Sequence, residues 1–272
     1  LSGRSHWSIN FEIPNQPKDY LVHVKANSYL EDVSIQMSDK VQKVKAEKVG
    51  LEADINVLSG GFLKVDASFT DVGAAEGERQ NILDLFAVRS KGDVWNFDVR
   101  SDYITGKGEL TEGLGKDTVF KLDLDEVDVH SLFVTENNKD SKALNPVDFP
   151  PLVWSSKKVL WDDWVFFDVI VETNWHKHGM LINKFSLNGP AMTFDARGTW
   201  LTSWNGSHET VMEGNIFSSN CGVTLVGLGY QKSLDRCEYA AVFNSKWPAE
   251  PYRLSWANMT GKTSFEMKDG EI

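Results

Sequence analysis

Apolar side chains return at every second position from one end of this chain to the other. Trp7, Ile9, Phe11 and Ile13 alternate with Ser8, Asn10 and Glu12. The same period appears in Val22, Val24 and Ala26, in Val33, Ile35 and Met37, in Trp95, Phe97 and Val99, and in Phe120, Leu122 and Leu124. It returns in Phe185 and Leu187 and in Phe265 and Met267. A period of two is the signature of a strand with one apolar and one polar face. Strands are not interleaved with helical patterns, which argues against a parallel α/β sheet and for an antiparallel meander. With 272 residues, 41% of them hydrophobic, the chain is long enough for one large all-β domain or two smaller ones.

The stretch from Phe194 to Phe217 carries an Asn-Gly turn signal and reads as a hairpin. A three-residue loop, Asn205-Gly206-Ser207, would pair Trp200 with Met212, Gly198 with Gly214 and Ala196 with Ile216. The opposite face would then hold Asp195, Arg197, Thr199, Glu213 and Asn215. Since a slip of one residue moves every side chain to the other face, this segregation favours the three-residue loop over a two-residue one. One helix is expected after Ser219 or Asn220, with Val223, Val226, Tyr230 and Leu234 on its apolar period. The polar, proline-ended segment 134–151 reads as a long loop. It divides an N-terminal β unit, 1–144, from a C-terminal one, 145–272. A short echo between "YITGKGEL" (103–110) and "NMTGKTSF" (258–265) fits that division.

Charge and motifs narrow the function. A formal net charge of −11 without any basic stripe opposes binding to nucleic acid or electrostatic adhesion to anionic lipid surfaces. No run approaches the roughly 20 apolar residues of a membrane-spanning helix. The missing initiator Met and the ending at "KDGEI" suggest a section of a longer protein. Cys221 and Cys237 could close a disulfide loop, or be two small buried thiols. "NGS" at Asn205 and "NMT" at Asn258 are glycosylation sequons, relevant only in a eukaryotic secretory setting. His176 and His178 in "HKH" have a spacing that could present two imidazoles to a metal, but the neighbouring Gly179 points to a solvated hairpin tip. Nucleotide, serine-hydrolase and zinc-protease signatures are absent from the sequence, and "LSGG" (58–61) precedes a strand, which makes it a turn and not a phosphate cradle. The acidic run "DLDEVDV" fits the wet face of a strand better than a catalytic carboxylate pair, and "WDDWVFFDV" fits a strand entering the sheet better than an acidic aromatic site for sugar or calcium. Neither enzyme activity, a metal nor a cofactor is expected.

Apolar strand faces therefore outnumber anything that could cover them, since one helix cannot shield a dozen strands. Two sheets could pack as a sandwich, or one curved sheet could keep an apolar concavity for a ligand. Ten Trp and fifteen Phe suit either solution.

Further motifs favour the second. "NPVDFPPL" (145–152), "GTW" (198–200), the strand with Thr210 and Gly214, "LGY" (228–230), "WPAEP" (247–251) and "MTG" before "DGEI" occur in an order that resembles the AsmA-like domain of YhdP-type envelope proteins of Gram-negative bacteria. Asn145 stands where that family has Asp. "WSINFEIP" followed by "YLVHVKANSYLEDVSIQM" is similar to the family's N-terminal strand pair, with "MSDKVQK" in place of its proline-rich element.

The resemblance implies an all-β fold: a long antiparallel meander curled into an apolar-lined groove, or an open barrel-like sheet, with one or two short helices. It also implies a periplasmic location, an inner-membrane anchor elsewhere in the protein, and conduction of phospholipid between the two membranes. Partners would be phospholipid and membranes. The candidate groove residues are Trp95, Phe97, Val99, Phe120, Leu122, Phe185, Leu187, Phe194, Ala196, Trp200, Met212, Ile216 and Phe265, with Gly198 and Gly214 leaving room for acyl chains. The competing expectation is a carbohydrate-binding or adhesive β-sandwich.

Overall fold

A computed structural model describes residues 2–16, 18–36, 42–43, 48–72, 80–90, 92–113, 118–129, 145–161, 164–227, 231, 237–254 and 257–269. The strands are β1 (Ser2–Arg4), β2 (Trp7–Glu12), β3 (Val22–Ser28), β4 (Asp32–Gln36), β5 (Gln42–Lys43), β6 (Val49–Val57), β7 (Leu63–Asp71), β8 (Gln80–Ser90) and β9 (Val94–Ser101). They continue with β10 (Ile104–Thr111), β11 (Val119–Asp128), β12 (Leu152–Trp161), β13 (Trp164–His176), β14 (Gly179–Gly189), β15 (Met192–Thr202), β16 (His208–Ser218), β17 (Glu238–Trp247) and β18 (Thr260–Lys268). A short helix, α1 (Cys221–Gly227), lies between β16 and β17.

The protein is all-β. Fifteen strands form one open, mostly antiparallel sheet in chain order, from β2 and β3 through β6 to β18, and β1, β4 and β5 form a small second sheet. From β6 to β18 each strand pairs with its chain neighbour, as expected where short turns join strands of alternating pattern, whereas β3 pairs with β6 and β1 with β4. Two compact units are distinguished: residues 1–113 with 123–140, and residues 114–122 with 141–272. β11 contributes to both. The loop expected at 134–151 lies outside the described residues as far as 144, after which Pro146–Asp148 form a 3-10 turn capped by Asn145.

The 194–217 hairpin has a three-residue loop, placed one position earlier than the sequence suggested. Ser203 N donates to Ser207 O at 2.8 Å, leaving Trp204, Asn205 and Gly206 as the loop. The register accordingly pairs Trp200 with Thr210, Gly198 with Met212 and Ala196 with Gly214. Gly206 explains the difference: at φ +82° it takes the left-handed conformation that closes a three-residue loop, and Ser207 would pay a steric penalty there. A shift of two residues preserves faces, so the apolar and polar sets stand as expected.

The helix is shorter than its sequence period. α1 ends at Gly227, and Tyr230 and Leu234 lie outside the described residues. Asn220 caps it, accepting from Val223 N at 3.2 Å. Its inner side is Cys221, Gly222 and Thr224, whereas Val223 and Val226 are exposed. Two ties fix that orientation: a Cys221–Cys237 disulfide and a 2.7 Å hydrogen bond between the Ser218 and Thr224 hydroxyls. His176 and His178 flank a hairpin tip, with ring centroids 6.2 Å apart and His178 N donating to His176 Nδ1 at 3.3 Å. Among the described residues, no group of three or more potential ligands that could hold a metal ion occurs. Leu58 N donates to Phe62 O at 2.9 Å across the "LSGG" turn.

Candidate functional site

In the first unit, pairing registers carry the apolar alternation from strand to strand. Phe11 lies opposite Val24, Val24 opposite Ile55, Ile55 opposite Val65, Val65 opposite Ala87, Ala87 opposite Phe97, and Phe97 opposite Gly108. The next row runs Ile9, Ala26, Ala53, Ala67, Leu85, Val99, Gly106. These rows cross seven strands, about 29 Å at 4.8 Å per strand spacing. The reverse face is polar, as in Asn10, Lys25, Asp54, Asp66 and Asp98. Phe86 is an exception there, with Lys64 Nζ 5.2 Å from its ring centre.

This stripe is neither buried like a core nor free like a loop. Ile55, Val65, Leu85, Phe97 and Val99 are half-buried, and only small residues such as Ala26 and Ala87 are buried outright. Toward the β2 edge the exposure rises: Ile9 is 49% and Phe11 69% exposed. Phe97 lies over Gly108, where an added Cβ would fall 2.1 Å from the ring. Trp95, Phe97 and Val99 thus lie on one half-buried apolar face. Sequence reading passed over its centre, β6 to β8, because Ala53, Ala67 and Ala87 dilute the alternation.

In the second unit the apolar face has a different fate. Ile182, Ala196, Met212 and Trp247 form a buried cluster, with Phe185, Phe194 and Phe243 packed against it. Ala249 and Met259, from the segment between β17 and β18, pack on it too. Thr210 Oγ1 donates to Ala249 O at 2.7 Å, and Trp247 Nε1 to Glu250 O at 3.0 Å. Tyr252 meets Trp200 edge-on at 6.1 Å and Phe149 lies 6.4 Å from it. Residues 248–254 and Met259 therefore form a strap over the apolar face. Glu250, 3% exposed, anchors it from below, with His208 Nε2 and Arg253 Nε each 3.9 Å from its carboxylate.

Ala196, Trp200 and Met212 were expected beside a ligand, and the strap occupies that place instead. Gly198 and Gly214 do not leave room either. A Cβ on Gly198 would fall 2.0 Å from Val211 O, and one on Gly214 2.2 Å from Asp195 O, so neighbouring backbone fills the space. Phe185 and Phe194 make an edge contact at 5.3 Å, and Phe194 stacks on Phe243 at 5.6 Å. Leu187 and Ile216 are half-buried on the same face, and on β11 Phe120 and Leu122 are half-buried as well. Phe265, on the edge strand β18, is 71% exposed.

On the polar face of this unit an open basin of about 620 Å³ is lined by Lys184, Asp195, Arg197, Glu213, Asn244 and Lys262, among others. Arg197 Nε donates to Glu213 Oε1 at 2.7 Å across it. Both side chains of this ion pair are exposed, which suits a solvated sheet surface.

Comparison with protein-family models, with curated proteins and with solved structures yields no match.

Proposed function

We propose that the chain is a lipid-carrying section of a cell-envelope protein, in which acyl chains lie along the apolar stripe of the first unit while headgroups stay in water. The observation that carries this reading is the unbroken ladder from Phe11 to Phe97, half-exposed on one face with a polar reverse. A contiguous apolar face left partly exposed marks a candidate binding surface. Each methylene buried there stabilises by about 0.8 kcal/mol. Many equivalent weak positions along a stripe favour sliding, whereas a single deep pocket would hold its occupant. The resemblance of the motif order to YhdP-type proteins is what supports a periplasmic setting for this activity, with phospholipid moving between inner and outer membranes and an inner-membrane anchor in another part of the protein.

Site-specific photocrosslinking in Gram-negative cells tests it. A photoreactive residue at Phe97 should capture phospholipid, identified by mass spectrometry, and one at its polar-face neighbour Asn96 should not. Protein-only crosslinks at Phe97 would refute the reading. Glycan captured at Asn244, in the polar basin, would move the assignment to carbohydrate binding.

A further inference from the structure

The large sheet ends on β2, whose outer edge has no strand beside it among the described residues. Natural edges of this kind are guarded against strand addition by Lys, Pro or a bulge. β18, at the other end of the sheet, is guarded in this way, with Lys262, Glu266 and Lys268 along its polar side. β2 is not. Between Trp7 and Phe11 it carries neither a charge nor a proline, and its pairing with β3 runs from Trp7 opposite Ser28 to Glu12 opposite His23 without a register shift. All six of its residues are exposed. Trp7, Ile9 and Phe11 stand on its apolar side, and Ile13, just past the strand, is 72% exposed. A regular, apolar and unpaired strand edge is a template for another strand.

We infer that β2 pairs antiparallel with β2 of a second copy of this chain, about a twofold axis through Ile9. The order of its side chains selects that occupant. With Ile9 opposite Ile9, Trp7 of each copy meets Phe11 of the other and Ser8 meets Asn10, so apolar side chains face apolar ones and polar face polar. His6 then lies opposite Glu12, which sets an imidazole beside a carboxylate at both ends of the pairing. Glu12 is the one acidic residue of β2 and is ion-paired with Lys18. A register that brought the two Glu12 side chains together would be penalised by like charge, whereas this one holds them six residues apart, about 20 Å. A twofold axis perpendicular to the sheet keeps both apolar faces on one side, so the rows through Ile9 and Phe11 run on from one copy into the other. Six residues make a small interface, and the dimer is accordingly weak and concentration-dependent. The pairing needs no lipid, so it stands or falls separately from the acyl-chain reading.

Sedimentation equilibrium of the purified chain over about 5–500 µM brackets the affinity of so small an interface and should show monomer in exchange with dimer. Ile9→Lys sets two ammonium groups face to face on the axis and should weaken the dimer about tenfold or more. Its circular dichroism should match wild type, because Ile9 is exposed. Thr263→Lys, the equivalent change on β18, should leave the dimer as it is. Ile9→Cys tests the register. Cys221 and Cys237 are joined to each other, so the new thiol is the only free one. Directly opposed residues of an antiparallel pair lie about 4.5–5.5 Å apart at Cα, within disulfide reach, and mild oxidation should give a covalent dimer on a non-reducing gel. Ser8→Cys should not, since its own counterpart lies diagonally across at about 7–8 Å. A chain that stays monomeric throughout overturns the inference. So does a dimer that Ile9→Lys leaves intact, that Thr263→Lys removes, or that Ser8→Cys links in preference to Ile9→Cys.

Discussion

Met212→Ala separates a closed core from a ligand surface on the second unit. Met212 is 5% exposed and packs with Ile182, Ala196 and Trp247 beneath Ala249 and Met259. Truncation removes three heavy atoms, worth about 2.4 kcal/mol in transfer terms, and the residual cavity raises the loss to about 3 kcal/mol. With a urea slope of about 2 kcal/mol/M for a unit of this size, the midpoint of its unfolding should fall by about 1.5 M. Val99→Ala, on the half-buried stripe of the first unit, removes two methyl groups that are only partly out of water and should cost about 0.8 kcal/mol. Urea titration followed by tryptophan fluorescence, with hydrogen exchange to assign the loss to β14–β17, provides the measurement. Lipid retention by Met212→Ala should match wild type. A Met212→Ala protein that keeps its stability yet loses lipid would show that the strap leaves the face open in solution, and the reasoning would fail.

Four other outcomes follow from particular contacts. Val65→Glu places a charge in the middle of the stripe and should abolish lipid capture while the protein stays folded by circular dichroism; retained capture would exclude the stripe as the path. Gly214→Ala drives a methyl toward Asp195 O and Ala196 Cα, both backbone atoms, and should destabilise by about 3 kcal/mol or more, read as loss of soluble protein. Replacing both Cys221 and Cys237 by Ala opens a crosslink 16 residues long and should cost about 3 kcal/mol, seen as a lower urea midpoint that dithiothreitol no longer changes. Burial holds the Tyr252 phenol above its ordinary value, the Glu250 carboxylate adding to the shift and Arg253 opposing it, and burial alone does the same for Tyr239. Because the neutral phenol is favoured in the folded state, its contribution is complete below about pH 10 and is lost as pH rises through the folded value. Absorbance at alkaline pH should show these two tyrosines ionising late, and Tyr252→Phe should remove one of the late steps.

Much of the fold was legible because strand alternation is a local property. Trp95, Phe97 and Val99 or Phe194, Ala196 and Gly198 reveal their shared face without knowledge of any partner strand. The hairpin's faces were legible for the same reason, although its register needed the backbone angle of Gly206. The inner side of α1 was misread because Val223 and Val226 follow a helical period, while the disulfide and the Ser218–Thr224 hydrogen bond turn Cys221 and Thr224 inward.

The sequence by itself determined that each strand would have an apolar side and that the strands would pair in chain order, because period, glycine turns and short connections act within a few residues. Only the tertiary structure decided which apolar faces remain available. The strap that closes over Ala196, Trp200 and Met212 arrives from residues 248–254 and Met259, and its anchors, Thr210 to Ala249 and Trp247 to Glu250, exist only once β15, β16 and β17 lie side by side. Covering a face is a contact between segments distant in the chain, and alternation says nothing about which distant segment will come to rest there.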